Sequence, residues 1–264
     1  MLGAIAGDII GSVYEFDRHK SKDFALFTPQ STFTDDSILS VAVAETILQG
    51  GRYAESIKHY AQQYPDPMGG YGARFDQWAH TASLQPYNSW GNGSAMRVSP
   101  VGFAYDNMAA VMNAARQSAE VTHNHPVGEK GAQETPASIM LTRQGCSKDE
   151  IKAFVEEVFS YDVSRSLDEI RVTYTFNESC QGTVPESIVA FLASTDFEDA
   201  IRNTISLGGD TDTMGAITGG IAEAFYGGVP DAIAAEVLTR LDEPLKEVVQ
   251  KFRACYFDTV ISTL

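Results

Sequence analysis

The chain has 264 residues, of which 44% are hydrophobic, so it can bury a large core, and we expect a single domain over residues 1–264. Its 35 acidic residues outnumber the 19 basic ones, and the formal net charge of -16 makes most of the surface repel nucleic acid and anionic lipid. We therefore expect no nucleic-acid partner, and an anionic substrate would need a cation between itself and the protein.

The first element is the apolar segment 1–10, which has no basic residue and is interrupted by Asp8. No apolar run in the chain reaches the roughly 20 residues that span a bilayer, so we expect a cytoplasmic protein without membrane contact. Glycines recur at every fourth position in this segment and again late in the chain, which gives both predicted helices a smooth face for close packing. These glycines are Gly3, Gly7 and Gly11, and Gly215 and Gly219.

Two acidic residues of the first segment are candidates for function. Asp8 and Glu15 are seven residues apart, which predicts that they share a helix face with Gly11. Because the surrounding side chains are apolar, Glu15 is a candidate metal ligand or acid/base group. The alternative is a solvated acidic face.

Two acidic clusters precede predicted helices. Thr34-Asp35-Asp36 lies before a helix predicted over 35–49, and Asp210-Thr211-Asp212-Thr213 lies between Gly208-Gly209 and a helix predicted over 214–226. Each cluster alone can be explained as helix capping. Together they supply the carboxylate and hydroxyl oxygens that Mg²⁺ prefers, and an Asp-x-Asp offset lets one side chain reach each of two ions roughly 4 Å apart. The pair predicts a two-metal site.

Three further stretches are candidate ligand loops. The backbone N–H groups of Gly91-Asn92-Gly93-Ser94-Ala95-Met96, together with Arg97, could cradle a phosphate, although the loop lacks the Lys-Ser/Thr of a P-loop. Gly69-Gly70-Tyr71-Gly72 is either a turn or a ligand loop. His123-Asn124-His125-Pro126 favours a hydrogen bond to substrate, or a surface turn, over a metal site.

The remaining elements are almost all helical. Capping boxes are predicted at Ser147 with Glu150 and at Thr195 with Glu198, the second before a helix that ends at Gly208-Gly209. Other predicted helices cover 53–63, 108–121, 185–193 and most of 231–256, while 169–176 alternates like a strand. The three cysteines, Cys146, Cys180 and Cys255, form no C-x-x-C motif and predict neither a disulfide nor a zinc site. We expect an all-α, multi-helix domain with at most one small β-hairpin.

Taken in order, five motifs resemble the ADP-ribosylglycohydrolase family, and they extend from residue 7 to about residue 227. They are Gly7-Asp8 through Glu15, Phe33-Thr34-Asp35-Asp36, Gly91 through Arg97, His123 through Pro126, and Gly208 through Thr213. The resemblance implies an all-α fold with two Mg²⁺ or Mn²⁺ ions at the bottom of a cleft. Ser37 stands where many members have a second threonine, and 160–185 match no motif, so substrate preference is expected to be encoded there.

The resemblance also implies roles for individual residues. The implied metal ligands are Thr34, Asp35, Asp36, Asp210, Asp212 and Thr213. Glu15 matches the glutamate that the family places beside the metals, and we expect either Glu15 or Asp36 to be the catalytic acid/base group. The expected substrate contacts are Gly70, Tyr71, Gly72, Asn92, Gly93, Ser94, Met96, Arg97 and His123.

The implied reaction is hydrolysis of the glycosidic bond between ADP-ribose and an acceptor, which is a modified protein or a small molecule. Two alternatives stay open at this point. A dinuclear phosphohydrolase acting on a nucleotide could use the same ligands. A non-catalytic protein that binds ADP-ribose, or has a structural role, would not need carboxylates whose mutual repulsion is costly without metal.

Overall fold

The computed structural model describes residues 1–257, and within that range the regular secondary structure is helical. The helices are α1 (Leu2–Gly11), α2 (Asp35–Gln49), α3 (Tyr53–Gln63), α4 (Ala73–Ala79), α5 (Gly93–Met96), α6 (Ser99–Ala104), α7 (Met108–Ala119), α8 (Pro126–Arg143), α9 (Lys148–Phe159), α10 (Leu167–Thr173), α11 (Cys180–Leu192), α12 (Phe197–Ile205), α13 (Thr211–Phe225), α14 (Asp231–Arg240) and α15 (Glu243–Tyr256). Two isolated β-bridges, Thr34 with Met68 and Gly91 with Ser179, join loops. The prediction of an all-α fold is confirmed.

The strand prediction over 169–176 is wrong. Ser166 and Glu169 form a capping box, in which each side chain bonds the backbone N–H of the other residue, and this starts α10. Only Ile170 of α10 is buried, so the alternation of apolar residues does not mark a sheet face. The local capping signal outweighs the period-two pattern, and the chain becomes extended only after Thr173.

Several helix boundaries also differ from prediction, among them the start of α11, at Cys180 and not at 185, and the start of α13, at Thr211 and not at 214. The side chain of Asp196, not Thr195, accepts the capping hydrogen bond from the Asp199 N–H, so α12 begins one residue later than expected. The stretch 231–256 divides into α14 and α15, because Asp242 caps a new helix that has proline in its first turn. The capping box of Ser147 and Glu150 at α9 is confirmed.

Helices α1 and α13 are antiparallel and touch backbone to backbone. A Cβ atom built on Gly7 would lie 1.9 Å from the carbonyl oxygen of Gly215, and one on Gly3 would lie 2.3 Å from that of Gly219. Close packing of the two glycine faces is therefore confirmed. All ten residues of α1 are buried. Among the helices of residues 1–257, none combines the length and apolarity needed to cross a membrane.

A buried acid lies in α8, away from the predicted site. Glu134 is fully buried; its Oε1 accepts a hydrogen bond of 2.6 Å from Ser138, and its Oε2 has no partner among residues 1–257. Desolvation of the carboxylate raises the pKa of Glu134 to about 8. The folded protein therefore holds this proton more tightly than the unfolded chain does.

We expect stability to depend on the ionisation of Glu134. Because its pKa is higher in the folded state, its contribution is fully present below the ordinary value of 4.5 and is lost as pH rises towards 8. Glu134→Gln should raise the free energy of unfolding by about 4 kcal/mol at pH 8 and change it little near pH 4.5. Urea unfolding at the two pH values measures this, with Glu157→Gln on an exposed face as the control. An equal effect at both pH values would contradict the prediction.

Candidate active site

The contact between α1 and α13 brings two loop-to-helix junctions together. The Thr211 hydroxyl at the start of α13 donates 2.8 Å to the carbonyl of Gly11 at the end of α1. One turn earlier in α1, the Asp8 carboxylate accepts hydrogen bonds from the start of α2: from Thr34 N at 3.1 Å, from Thr34 Oγ1 at 2.7 Å, from Ser37 N at 3.0 Å, and from the Ser37 hydroxyl. Asp8 therefore fixes the first turn of α2 beside the first turn of α13.

The two acidic clusters, far apart in sequence, form one cluster in space. The Thr213 hydroxyl lies 3.4 Å from Asp36 Oδ2, and Thr34 Oγ1 lies 3.4 Å from the same oxygen. One carboxylate oxygen each from Glu15, Asp210 and Asp212 lies within 4.8 Å of the other two. We call the set Glu15, Asp35, Asp36, Asp210 and Asp212 the acidic cluster.

Burial makes the ionised form of the acidic cluster energetically unfavourable unless a positive charge lies beside it. Desolvation, followed by the neighbouring carboxylates, raises the pKa values of Asp35, Asp36 and Asp212 well above their ordinary range. No ion pair within residues 1–257 includes a member of the cluster, and Asp36 Oδ1 is buried without a hydrogen-bond partner there. The atoms available to coordinate a metal are all oxygens, which suits hard divalent cations and not zinc held by thiolates. The acidic cluster could therefore bind metal.

Glu15 reaches the cluster by a different route from the one expected. Helix α1 ends at Gly11, so Asp8 and Glu15 do not share a helix face. Glu15 instead lies in the turns of residues 12–18, and its Oε2 is 2.9 Å from the position that a Cβ on Gly69 would occupy. The glycine loop at 69–72 thus leaves room for this carboxylate, which the sequence pattern did not predict.

A cavity of about 500 Å³ extends from the acidic cluster. Most of the residues predicted to contact substrate line it, namely Gly70, Tyr71, Gly72, Asn92, Gly93, Met96, Arg97 and His123. Ser94 and Thr34 are not among the lining residues. Ser94 is fully buried and its hydroxyl donates 2.8 Å to the carbonyl of Gly128, while Thr34 Oγ1 donates 2.7 Å to Asp8 Oδ1.

Asn92 connects the second glycine loop to the acidic cluster. Its Nδ2 donates 2.7 Å to Asp210 Oδ2 and 3.1 Å to Thr183 Oγ1, and its backbone N–H donates 2.8 Å to the carbonyl of Glu178. A side-chain amide that donates to a carboxylate in this way fixes the orientation of the whole carboxyl group.

Arg97 and His123 lie at the cavity wall with contrasting charge. Arg97 is fully buried; its Nη2 donates to the Ser118 carbonyl and to Thr122 Oγ1, while Nε and Nη1 have no partner in residues 1–257. Desolvation lowers the pKa of Arg97 to about 10, which leaves it cationic at neutral pH. Desolvation and the nearby Arg97 also lower the pKa of His123 well below its usual range, so its imidazole is neutral. His125 instead caps α8, where its Nδ1 accepts from Val127 N.

Several lining residues carry no sequence signal that could have found them. Aromatic side chains at the cavity, including Phe16, Tyr87, Trp90 and Phe176, lie in loops without periodicity. The sequence pattern indicates Asp8 only as a companion of Glu15, whereas its hydrogen bonds make it the residue that positions α2. An acidic residue inside an otherwise apolar helix is the available clue.

The sequence of the chain is similar to those of known proteins. Residues 1–258 match the ADP-ribosylglycohydrolase family. The chain is 28% identical to mouse ADP-ribosylhydrolase ARH3 over 86% of this chain and 82% of that protein, and 27% identical to the human one over 86% and 84%. It is 25% identical to ADP-ribosylarginine hydrolase Tri1 of Pseudomonas putida (strain GB-1) over 86% and 69%.

The fold has a counterpart among solved structures. A chain of an ADP-ribosylglycohydrolase-related protein complex superposes with a TM-score of 0.72 at 22% sequence identity, and the match covers 95% of each chain. That likeness concerns the fold, while the match over residues 1–258 concerns the sequence. The chain therefore belongs to the ADP-ribosylglycohydrolase family, whose members are enzymes of the glycosidase class.

Proposed function

We propose that the protein hydrolyses the glycosidic bond between ADP-ribose and an acceptor in a reaction that depends on Mg²⁺ or Mn²⁺. The observation that carries the proposal is the meeting of the two acidic junctions at one end of a cavity of about 500 Å³, a volume within the range of small-molecule sites. The substrate is an ADP-ribosylated protein or a small ADP-ribose conjugate.

Two divalent ions fit the chemistry of the donor set. The residues that would hold them are Thr34, Asp35, Asp36, Asp210, Asp212 and Thr213. When bound, such ions would neutralise the buried carboxylates and bind the hydroxyls of the distal ribose. Such ions would also explain how a protein with a net charge of -16 binds an anionic nucleotide.

The residues of the chain divide the remaining tasks. The oxygen of a water molecule forms a bond to the anomeric carbon of the distal ribose while the bond from that carbon to the acceptor breaks. One carboxylate, Glu15 or Asp36, takes the proton of the water, which passes to the leaving acceptor. A second carboxylate nearby stabilises the positive charge that develops on the ribose in the oxocarbenium-like transition state.

The rest of the cavity would bind the nucleotide. Backbone N–H groups of Tyr71, Gly72 and Gly93, together with the unpartnered Nε and Nη1 of the cationic Arg97, would supply donors to phosphate oxygens. The neutral imidazole of His123 can exchange a hydrogen bond with the substrate without adding charge.

A panel of ADP-ribosylated proteins with defined linkages tests the proposal. We expect free ADP-ribose to be released in Mg²⁺ or Mn²⁺, to stop with chelator, and to resume when the metal is returned. Release of AMP or inorganic phosphate from ADP-ribose would favour the phosphohydrolase alternative. Binding of ADP-ribose without turnover of any linkage would favour a non-catalytic role.

A further inference from the structure

Two phenylalanine side chains stand together in solvent at the opening of the cavity. Phe16 is 74% exposed and Phe176 is 43% exposed, although both line the cavity. Their ring centroids are 6.0 Å apart and their planes differ by 22°, which is a stacked arrangement. A stacked pair of apolar rings that is left in water at a site marks a surface for contact with a ligand.

The pair lies beside the acidic cluster. Phe16 directly follows Glu15, whose carboxylate is within 4.8 Å of those of Asp210 and Asp212. Phe176 follows an extended segment packed on the turn before Asp210, since a Cβ on Gly209 would lie 2.8 Å from the Tyr174 ring and 3.4 Å from the Thr175 carbonyl. In the proposed reaction the distal ribose lies at the acidic cluster, so solvent-exposed rings that line the same cavity as the cluster are available to contact the acceptor.

The charge around the pair is negative. Glu15 and Glu178 line the same cavity as the two rings, and they are close to them in sequence, Glu15 directly before Phe16 and Glu178 two residues after Phe176. The ammonium of Lys20, on the loop that follows Phe16, is already engaged by the carbonyls of Tyr174 and Leu207. Aromatic faces bordered by carboxylates favour a cation, and a planar guanidinium suits them best because it can stack on a ring while it donates to a carboxylate.

We propose that Phe16, Phe176 and Glu178 form the acceptor subsite and that they select ADP-ribose linked to the guanidinium of arginine over ADP-ribose linked to a serine hydroxyl. The inference rests on the proposed function. A serine side chain is short and uncharged, so it would neither cover the rings nor pair with Glu178. The segment that carries two of these residues lies within 160–185, the stretch that matches no family motif.

The test compares two small substrates, ADP-ribosylarginine as the free amino acid and a short peptide with serine-linked ADP-ribose. We expect the wild-type protein to show the higher kcat/KM with the arginine linkage. Phe16→Ala, Phe176→Ala and Glu178→Gln should each lower that value by roughly threefold to thirtyfold, while affinity for free ADP-ribose, measured by calorimetry, stays unchanged. Val172→Ala is the matched control, because Val172 is 85% exposed on α10 and does not line the cavity.

The outcomes separate this inference from the proposed function. Faster cleavage of the serine linkage by the wild-type protein would overturn the inference and leave the proposed function standing. The inference is also overturned if the variants lose kcat/KM equally for both linkages. It is overturned likewise if they lose affinity for free ADP-ribose, since the rings would then bind the nucleotide and not the acceptor. If the wild-type protein cleaves neither of these two linkages but cleaves another linkage of the panel, the inference alone fails. If it binds ADP-ribose and cleaves no linkage of the panel, the proposed function fails and the inference fails with it.

Discussion

Asp212→Asn should abolish turnover of ADP-ribosylated substrate, with a loss on the order of 10³-fold or more, because removal of even one electrostatic donor from a site costs 10²- to 10³-fold. Asp212 is buried, and its carboxylate lies within 4.8 Å of those of Glu15 and Asp210. The amide keeps the shape of the side chain but removes a negative charge that would hold a divalent ion. The release of free ADP-ribose measures the effect.

The same variant should be more stable than the wild-type protein when metal is absent. Burial, and after it the neighbouring carboxylates, raise the pKa of Asp212, so its negative charge is unfavourable in the folded state and the neutral amide removes both costs. In contrast, saturating Mn²⁺ should stabilise the wild-type protein by about 3 kcal/mol at a hundred times the dissociation constant, and the variant much less. Asp168→Asn, at a side chain 91% exposed, is the control. Full activity of Asp212→Asn would exclude the two-metal proposal.

Gly7→Ala is expected to cost about 3 kcal/mol or more of the free energy of unfolding, since overpacking of a core usually costs 1–3 kcal/mol and this clash involves backbone. The added Cβ would lie 1.9 Å from the carbonyl oxygen of Gly215 and 2.2 Å from its carbon. No side chain can rotate away, so α1 and α13 would have to separate. Chemical denaturation and the yield of folded protein measure this result.

Gly72→Ala is the matched control for Gly7→Ala. A Cβ on Gly72 meets no atom within 4 Å, and its φ of -55° suits any residue. Within a helix an alanine is favoured over glycine by up to about 1 kcal/mol, so propensity alone predicts that Gly7→Ala would stabilise α1. An unchanged or higher stability of Gly7→Ala would therefore contradict the backbone contact.

Elements with strong local signals could be predicted from the sequence. Helices α2 and α3 begin and end at the predicted residues, because Thr34 caps α2 and the apolar periodicity of α3 is regular. The pairing of the two acidic junctions was also predictable, since both combine carboxylates with a helix start. The glycine repeats at Gly7 and Gly215 predicted close packing, although not that the two helices pack on each other.

Features that depend on contacts between distant segments could not be predicted. Glu15 reaches the acidic cluster from a turn beside Gly69, and nothing in its own neighbourhood indicates that turn. Phe176 stacks on Phe16, which lies 160 residues earlier in the chain. It belongs to an extended segment that follows α10, a helix that the alternation of apolar residues did not predict. Asp8 accepts its hydrogen bonds from the start of α2, and a sequence pattern does not identify the donors to a buried carboxylate.

The contact of α1 with α13 limits how such a protein can vary. Where the two helices are in backbone contact, no side chain lies between them. A change of side-chain size therefore cannot adjust the distance between the helices, or the spacing of the acidic cluster that they position, by a small amount. Even the smallest change at these positions, from glycine to alanine, would place a Cβ atom in the backbone of the other helix. The helix pair therefore does not tolerate stepwise substitution. In the proposed acceptor subsite, the loops 12–18 and 174–179 lie outside that contact, so acceptor preference can change there without moving the helix pair that positions the acidic cluster.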